Sequence, residues 1–222
     1  MMYPYSLLNE ETHVASLLGK KMSAPEIFDF SGVNKELWEM DVQDQRAFQQ
    51  YTEEIMRQSE RQWGIAGYLE KRDSLLRDLP QMVEEERFFH LGVDILLPKA
   101  TKLFAPLAGT VTETGYEEGK GNFGGYILIR HHLSKERESF YSLWGHLNPQ
   151  SLPQKGTPID AGDPFAELGD YDNNGDWFHH THLQILTEKG YAEGYVQKGY
   201  CTENMLPTID QYCPSPLFLL KW

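Results

Sequence analysis

The chain has 222 residues, 40% of them hydrophobic, and a formal net charge of −13, which suits one full globular domain with a smaller appendage. That acidic balance argues against nucleic acid or an anionic membrane as partner, because bulk electrostatics would repel both. No run approaches the roughly 20 apolar residues that span a bilayer, and residues 1–11 have neither the positive nor the apolar stretch of a secretory leader, so a cytoplasmic protein is expected.

Residues 1–62 read as a helical and irregular front. Within 44–59, Phe48, Tyr51, Ile55 and Met56 recur at helical spacing among Gln, Glu and Arg, which predicts an amphipathic helix laid against the main domain, with Asp41 upstream as its cap. From residue 63 to about 200 the texture changes to short apolar segments broken by Gly and Pro. Segments 104–114, 124–131, 140–144, 164–169 and 180–186 read as β-strands with their turns, and 119–122 and 172–175 as turns between them. Such a series predicts a mainly β fold, α+β overall, with an antiparallel sheet at its centre. Residues 201–222 read as an irregular tail whose apolar end, Pro216-Leu-Phe-Leu-Leu220, is too hydrophobic to stay in water and packs back on the sheet. Cys201 and Cys213 lie in this tail; in a reducing compartment they are expected free and partly buried.

The histidines carry the strongest signal. Of eight in the chain, His90, His146, His179, His180 and His182 fall in or beside three fragments, His90-Leu-Gly-Val-Asp94, Gly145-His146-Leu147 and His180-Thr-His182. Together these supply three plausible metal ligands and two further histidines for proton transfer. Strand geometry turns side chains two apart to the same face, so His180 projects with His182, and His90 with Gly92 and Asp94. Gly92 would leave room for a metal or substrate to approach the backbone. Imidazole and carboxylate suit zinc, whose catalytic sites keep three protein ligands and an open position. His179 could replace His180 in a strand shifted by one residue, but His182 would then face away; His179 is therefore a neighbour of the site. His131 and His132 read as hydrogen-bonded surface residues.

In this order the fragments resemble the lysostaphin-type (LytM-like) zinc endopeptidases, which cut peptide cross-links of bacterial cell walls. The family pattern runs H-x-x-x-D, then a G-N-x-V/I-x-I/L-x-H strand, then Y-x-H-L, then H-x-H with an apolar residue and Glu or Gln. Here it reads His90 to Asp94, Gly121-Asn-Phe-Gly-Gly-Tyr-Ile-Leu-Ile-Arg-His131, Trp144-Gly-His-Leu147 and His180-Thr-His-Leu-Gln184. The resemblance implies the family's duplicated-hybrid-motif β fold, with zinc on His90, Asp94 and His182 and with His146 and His180 as the catalytic histidines. It implies hydrolysis of a peptide bond by zinc-activated water, the two histidines supporting the tetrahedral intermediate while a proton goes to the leaving amine. Trp144 stands where the family has tyrosine, so one polar group near the site is lost or is supplied by Tyr141. The approach to H-x-H, Asp172-Asn-Asn-Gly-Asp-Trp-Phe178, is bulkier and more acidic than the family's glycine-rich one and should reshape the groove.

The leading expectation is a zinc endopeptidase acting on short peptides, wall-derived or otherwise rich in glycine or D-alanine. A non-catalytic peptide- or peptidoglycan-binding module of the same fold is the alternative; such relatives lose ligands, and here all five positions are filled. A histidine phosphocarrier-like domain is more distant, because it needs neither Asp94 nor a third ligand. Nothing in the sequence sets the oligomeric state.

Overall fold

A computed structural model of the chain describes residues 13–132 and 139–221; the opening residues, on which the reading of no secretory leader rests, lie outside them. The front of the chain forms β1 (Glu26–Phe28), α1 (Glu36–Glu39), α2 (Gln45–Gln58), β2 (Gly64–Ala66), α3 (Asp73–Leu76) and α4 (Pro80–Glu84). Then come β3 (Phe89–His90), β4 (Val93–Leu96), β5 (Lys102–Phe104), β6 (Gly109–Glu117), β7 (Gly124–His131) and β8 (Phe140–Leu147). The last elements are β9 (Pro158–Ile159), β10 (Pro164–Glu167), β11 (His180–Thr187), α5 (Glu188–Ala192) and β12 (Tyr200–Cys201). Eight strands make one sheet in the order β1-β2-β4-β11-β8-β7-β6-β9, and β10-β5 and β12-β3 form two short ribbons. In the large sheet every pairing is antiparallel except β1 with β2. The mainly β architecture expected from the spacing of the strands is the one the chain adopts.

Alternation along the central strands sorts their side chains onto two faces. Val93 and Ile95 of β4, Leu183 and Ile185 of β11, Trp144 of β8 and Ile127 and Ile129 of β7 point into the main core. Leu128, Leu143 and Leu186, from the same strands, join a second cluster with the tail residues Ile209 and Cys213. A third cluster gathers Phe48 of α2 with Phe28, Phe30, Leu76, Leu79, Met82, Leu96 and Phe178. Cover on both faces explains why β8 and β11 are buried along their whole length.

The helix expected within 44–59 is α2, with Phe48 buried and Tyr51, Ile55 and Met56 packed on the same cluster. Its cap is Asp44, not Asp41. The Asp44 carboxylate accepts from the backbone N–H groups of Arg46 and Ala47 at 3.0 and 3.1 Å, whereas Asp41 closes the preceding turn by accepting from Gln43 N–H. The 104–114 segment divides at Pro106, which has no N–H to give a ladder: β5 ends at Phe104 and β6 begins at Gly109. The tail is irregular, with 3-10 turns at Glu203–Gln211 and Pro216–Leu219, and Leu219 and Leu220 reach the main core. Both cysteines are free, and both are buried. No helix among the described residues is long and apolar enough to cross a membrane.

His131 corrects the surface reading. It is 1% exposed, its Nδ1–H donating to Ala108 O at 2.9 Å and its Nε2 lying 2.8 Å from Ser142 Oγ; His132 is the exposed member of the pair. Burial pushes the His131 pKa down to about 4. The unfolded chain therefore binds a proton more readily below its ordinary value of about 6.5, and this histidine costs stability as pH falls from there, about 2 kcal/mol by pH 5. The unfolding free energies from urea curves at pH 7 and pH 5 are expected to converge in His131→Gln by roughly that amount relative to the parent chain. An unaltered pH dependence would remove His131 as its source.

Candidate metal centre

β4 and β11 lie side by side with Asp94 directly opposite His182. Both side chains leave the sheet on the face opposite the main core, between the tail cluster and the aromatic cluster. His90 arrives from β3, just before the chain enters β4. Position 92 has a different role from the one expected: a Cβ there would sit 2.5 Å from Leu183 O and 2.6 Å from the His182 ring. Glycine at this point admits β11 and its histidine, which is what brings the ligand candidates together.

Each histidine has one ring nitrogen tied up by a group that fixes the tautomer. Nδ1–H of His90 donates to Gly67 O at 2.9 Å, Nδ1–H of His180 to Phe178 O at 2.9 Å, and Nδ1–H of His146 to Asn174 O at 2.7 Å. His182 is held the other way round, through Nε2 at 3.0 Å from Gln184 Oε1. Gln184 uses its amide nitrogen on Tyr195 O, so its oxygen faces His182 and Nε2 carries the proton. The free nitrogens are then Nε2 of His90 and Nδ1 of His182. They lie 2.9 Å apart, with Asp94 Oδ1 at 3.3 Å from the first and 3.2 Å from the second. Three lone-pair donors thus converge with no hydrogen to share. Tetrahedral zinc bonds of about 2.0 to 2.1 Å would separate such ligand atoms by about 3.3 Å. The donor set and its spacing therefore fit a zinc-sized cation, and His90, Asp94 and His182 are the residues that could hold one.

Electrostatics agree with that geometry. Burial, reinforced by the Arg72 cation, pushes His90 down to about 3, so its ring is neutral and available to a metal. Burial alone would raise the Asp94 carboxyl, but the Arg72 cation paired with it holds it well below the usual carboxylate range. Asp94 divides its two oxygens: Oδ1 faces the histidines, and Oδ2 takes an ion pair from Arg72 Nη1. Arg72 is itself 1% exposed, its Nε donating to Glu70 at 2.7 Å and its Nη1 also reaching Tyr200 Oη at 3.4 Å. This pairing leaves one carboxylate oxygen for a metal and prevents the other from turning toward it.

His146 and His180 stand beside the convergent set, their ring centroids 4.4 Å apart, and both are neutral because burial lowers their pKa, to about 4 for His180. Phe178 stacks on His180 at 4.3 Å. His146 reaches the site by an unusual route. Alternation would place it with Trp144 on the main-core side of β8; a backbone φ of 61° turns its side chain across to the site. Residues with a Cβ rarely take this left-handed conformation, and it costs about 1 to 2 kcal/mol.

All five residues singled out in the sequence thus come together around one cavity, although His90 sits behind the wall that the other four line. His179 remains outside, its Nε2 3.0 Å from Asp170 and its ring stacked on Tyr171. Tyr141 does not supply a phenol here; it stacks on Tyr191 at 4.5 Å. The phenol at the site belongs to Tyr200, whose ring lies 5.3 Å from His90. Tyr200 and Arg72 are the site residues that sequence reasoning missed. The only signal was positional, since each lies on a strand or turn that pairs with the one carrying His90.

Residues 88–193 match peptidase family M23. Among solved structures, the chain is similar to a zinc-containing peptidase from Vibrio cholerae, at 22% identity over 45% of this chain and 28% of that one, with a TM-score of 0.38. It is similar to the catalytic domain of the antimicrobial peptidase lysostaphin from Staphylococcus simulans, at 18% identity over 55% and 80% of the two chains, with a TM-score of 0.39. A third likeness is to the catalytic domain of the prophage-encoded M23 protein EnpA from Enterococcus faecalis, at 16% identity over 52% and 77%, with a TM-score of 0.38. The chain spans little more than a quarter of the length of the Vibrio cholerae peptidase, and no curated protein matches it. The stretch that matches peptidase family M23, residues 88–193, is the one that holds the ordered histidine motifs.

Proposed function

We propose that the chain is a zinc-dependent peptidase that hydrolyses short peptides, of peptidoglycan origin or of similar glycine- or D-alanine-containing sequence. The observation that carries this is the convergence of His90 Nε2, His182 Nδ1 and Asp94 Oδ1, with two further neutral histidines at their side. When bound by these three residues, zinc supplies Lewis acidity, polarising a carbonyl and making water nucleophilic near neutral pH. The chain's own groups do the rest. Gly67, Gln184 and Arg72 hold the ligands in the competent tautomer and orientation. His146 and His180, each anchored through Nδ1 to a backbone carbonyl, present Nε2 as acceptor for the proton of the attacking water and return it to the leaving amine. In the protonated form they would donate to the developing oxyanion. A cytoplasmic peptidase of this kind would meet wall peptides as recycled fragments.

The test is incubation of zinc-loaded and chelator-stripped protein with soluble cross-linked and linear wall peptides, with products read by mass spectrometry. Defined cleavage confined to the zinc-loaded protein is expected. Intact peptides in the presence of fully zinc-loaded protein would replace this reading with a peptide-binding module.

A further inference from the structure

We propose that the cavity at this site recognises a free carboxylate next to the bond to be cut, through Arg72 and Arg87, so that short peptides with a free carboxyl end are favoured over strands that continue past the site. This deepens the peptidase reading and rests on it. The first support is enclosure. His90, Asp94, His146, His180 and His182 are all 5% exposed or less, and the cavity beside them has a volume of about 90 Å³. That is the scale of a few water molecules, or of one small terminal residue. The roof comes from the front of the chain: Leu75 of α3 and Met82 of α4 line the cavity. Leu79, between them, meets the tip of the β6–β7 hairpin, where a Cβ on Gly121 would lie 3.1 Å from Leu79 Cδ1. A peptide reaching the histidines has to fit beneath these side chains.

The second support is charge. In a chain with 20 Lys and Arg against 33 Asp and Glu, two arginines line this one small cavity. They are rooted side by side, because Arg72 N–H donates to Phe88 O at 2.9 Å and Lys71 pairs with Phe89. Arg72 spends Nε on Glu70 and Nη1 on Asp94 and Tyr200. Its Nη2 is buried without an acceptor among the described residues. A buried guanidinium nitrogen of this kind is costly to leave unmatched and calls for an anionic or strongly polar acceptor. Arg87 contacts Glu85 through Nε at 2.7 Å, and no acceptor among the described residues takes its Nη groups. Guanidinium forks match the two oxygens of a carboxylate in both spacing and plane. The wall also carries a further carboxylate, Glu117, on the hairpin, where it accepts from Phe123 N–H at 3.4 Å.

A C-terminal carboxylate and a side-chain carboxylate share this chemistry, and the test separates them. Zinc-loaded His180→Ala protein, which should bind without turnover, is titrated calorimetrically with Gly-Gly-Gly-D-Ala as the free acid, with its C-terminal amide, and with the amide carrying D-Glu in place of D-Ala. The free acid is expected to bind about 10-fold tighter than the amide or better, and Arg87→Gln in the same background should bring that ratio toward one. If the D-Glu amide matches the free acid, a side-chain carboxylate is read equally well; if it matches the D-Ala amide, the terminus is read. Equal affinity for acid and amide, or no binding of any probe, overturns the proposal. So does a preference that survives Arg87→Gln, since the carboxylate would then be read without the arginine pair, by Arg72 alone or by the metal. Cleavage by the His180-containing protein separates the two readings. Equal cleavage of acid and amide removes carboxylate recognition and keeps the peptidase, whereas selective binding without cleavage removes the peptidase and keeps the recognition.

Discussion

Asp94→Ala and His182→Ala are each expected to lose stoichiometric zinc, and with it all peptidase activity. Each removes one of three convergent donors, and the next nitrogen, His180 Nε2, lies 3.6 Å from Asp94 Oδ1, outside the convergent set. The two variants differ in their cost to the fold. Without Asp94, the buried Arg72 keeps only Glu70 as a charged partner, and breaking a buried pair from one side costs about 3 to 5 kcal/mol. His182→Ala leaves that pair intact and removes a ring packed beside Phe123 at 5.2 Å together with its hydrogen bond to Gln184, so it is the cleaner probe. Asp94→Asn, which keeps the shape and an oxygen donor, separates loss of ligand charge from loss of packing. Metal content after dialysis, read beside circular dichroism, decides the matter. Full zinc in both alanine variants would discredit the assignment of the ligands.

His146→Ala and His180→Ala should behave in the opposite way, keeping zinc and losing turnover by at least ~100-fold, the lower end of what positioned acid–base groups contribute. Neither belongs to the convergent set, and each is anchored by a separate backbone carbonyl, so either can be removed without releasing the other. The loss should fall on kcat more than on KM, because a group that only moves a proton binds the transition state rather than the substrate. Unchanged turnover in either variant would remove that residue from the mechanism, and loss of zinc in either would mean that the ligand set is larger than three.

Much of the fold was legible because its strands obey simple alternation. The spacing of His180 and His182 placed two histidines on one face of β11, and the Gly- and Pro-bounded apolar segments located most of the central sheet. His146 could not have been placed by the same rule. Alternation along β8 sends it into the main core, and only its left-handed backbone reverses that; the family motif located it where the period would have misled. Arg72 was hidden for another reason. It sits in the charged run Glu70-Lys-Arg-Asp73, which reads as a solvated surface, and its partner Asp94 lies 22 residues away. His131 was misjudged because adjacent histidines at a strand end look exposed, while the groups that bury it, Ala108 and Ser142, come from other parts of the sheet. For Arg72 and His131 the deciding contacts come from other segments of the chain, and local composition carries no trace of them.

The left-handed backbone at His146 also bears on how such a chain can change over generations. Glycine takes that conformation without strain, so folding by itself favours glycine at position 146 and disfavours every residue with a Cβ. On the peptidase reading, the proton transfer proposed for the imidazole is what sets it against that gradient at this position. Were the demand for that chemistry relaxed, this is the position where drift toward a sturdier and inert protein would meet the least resistance.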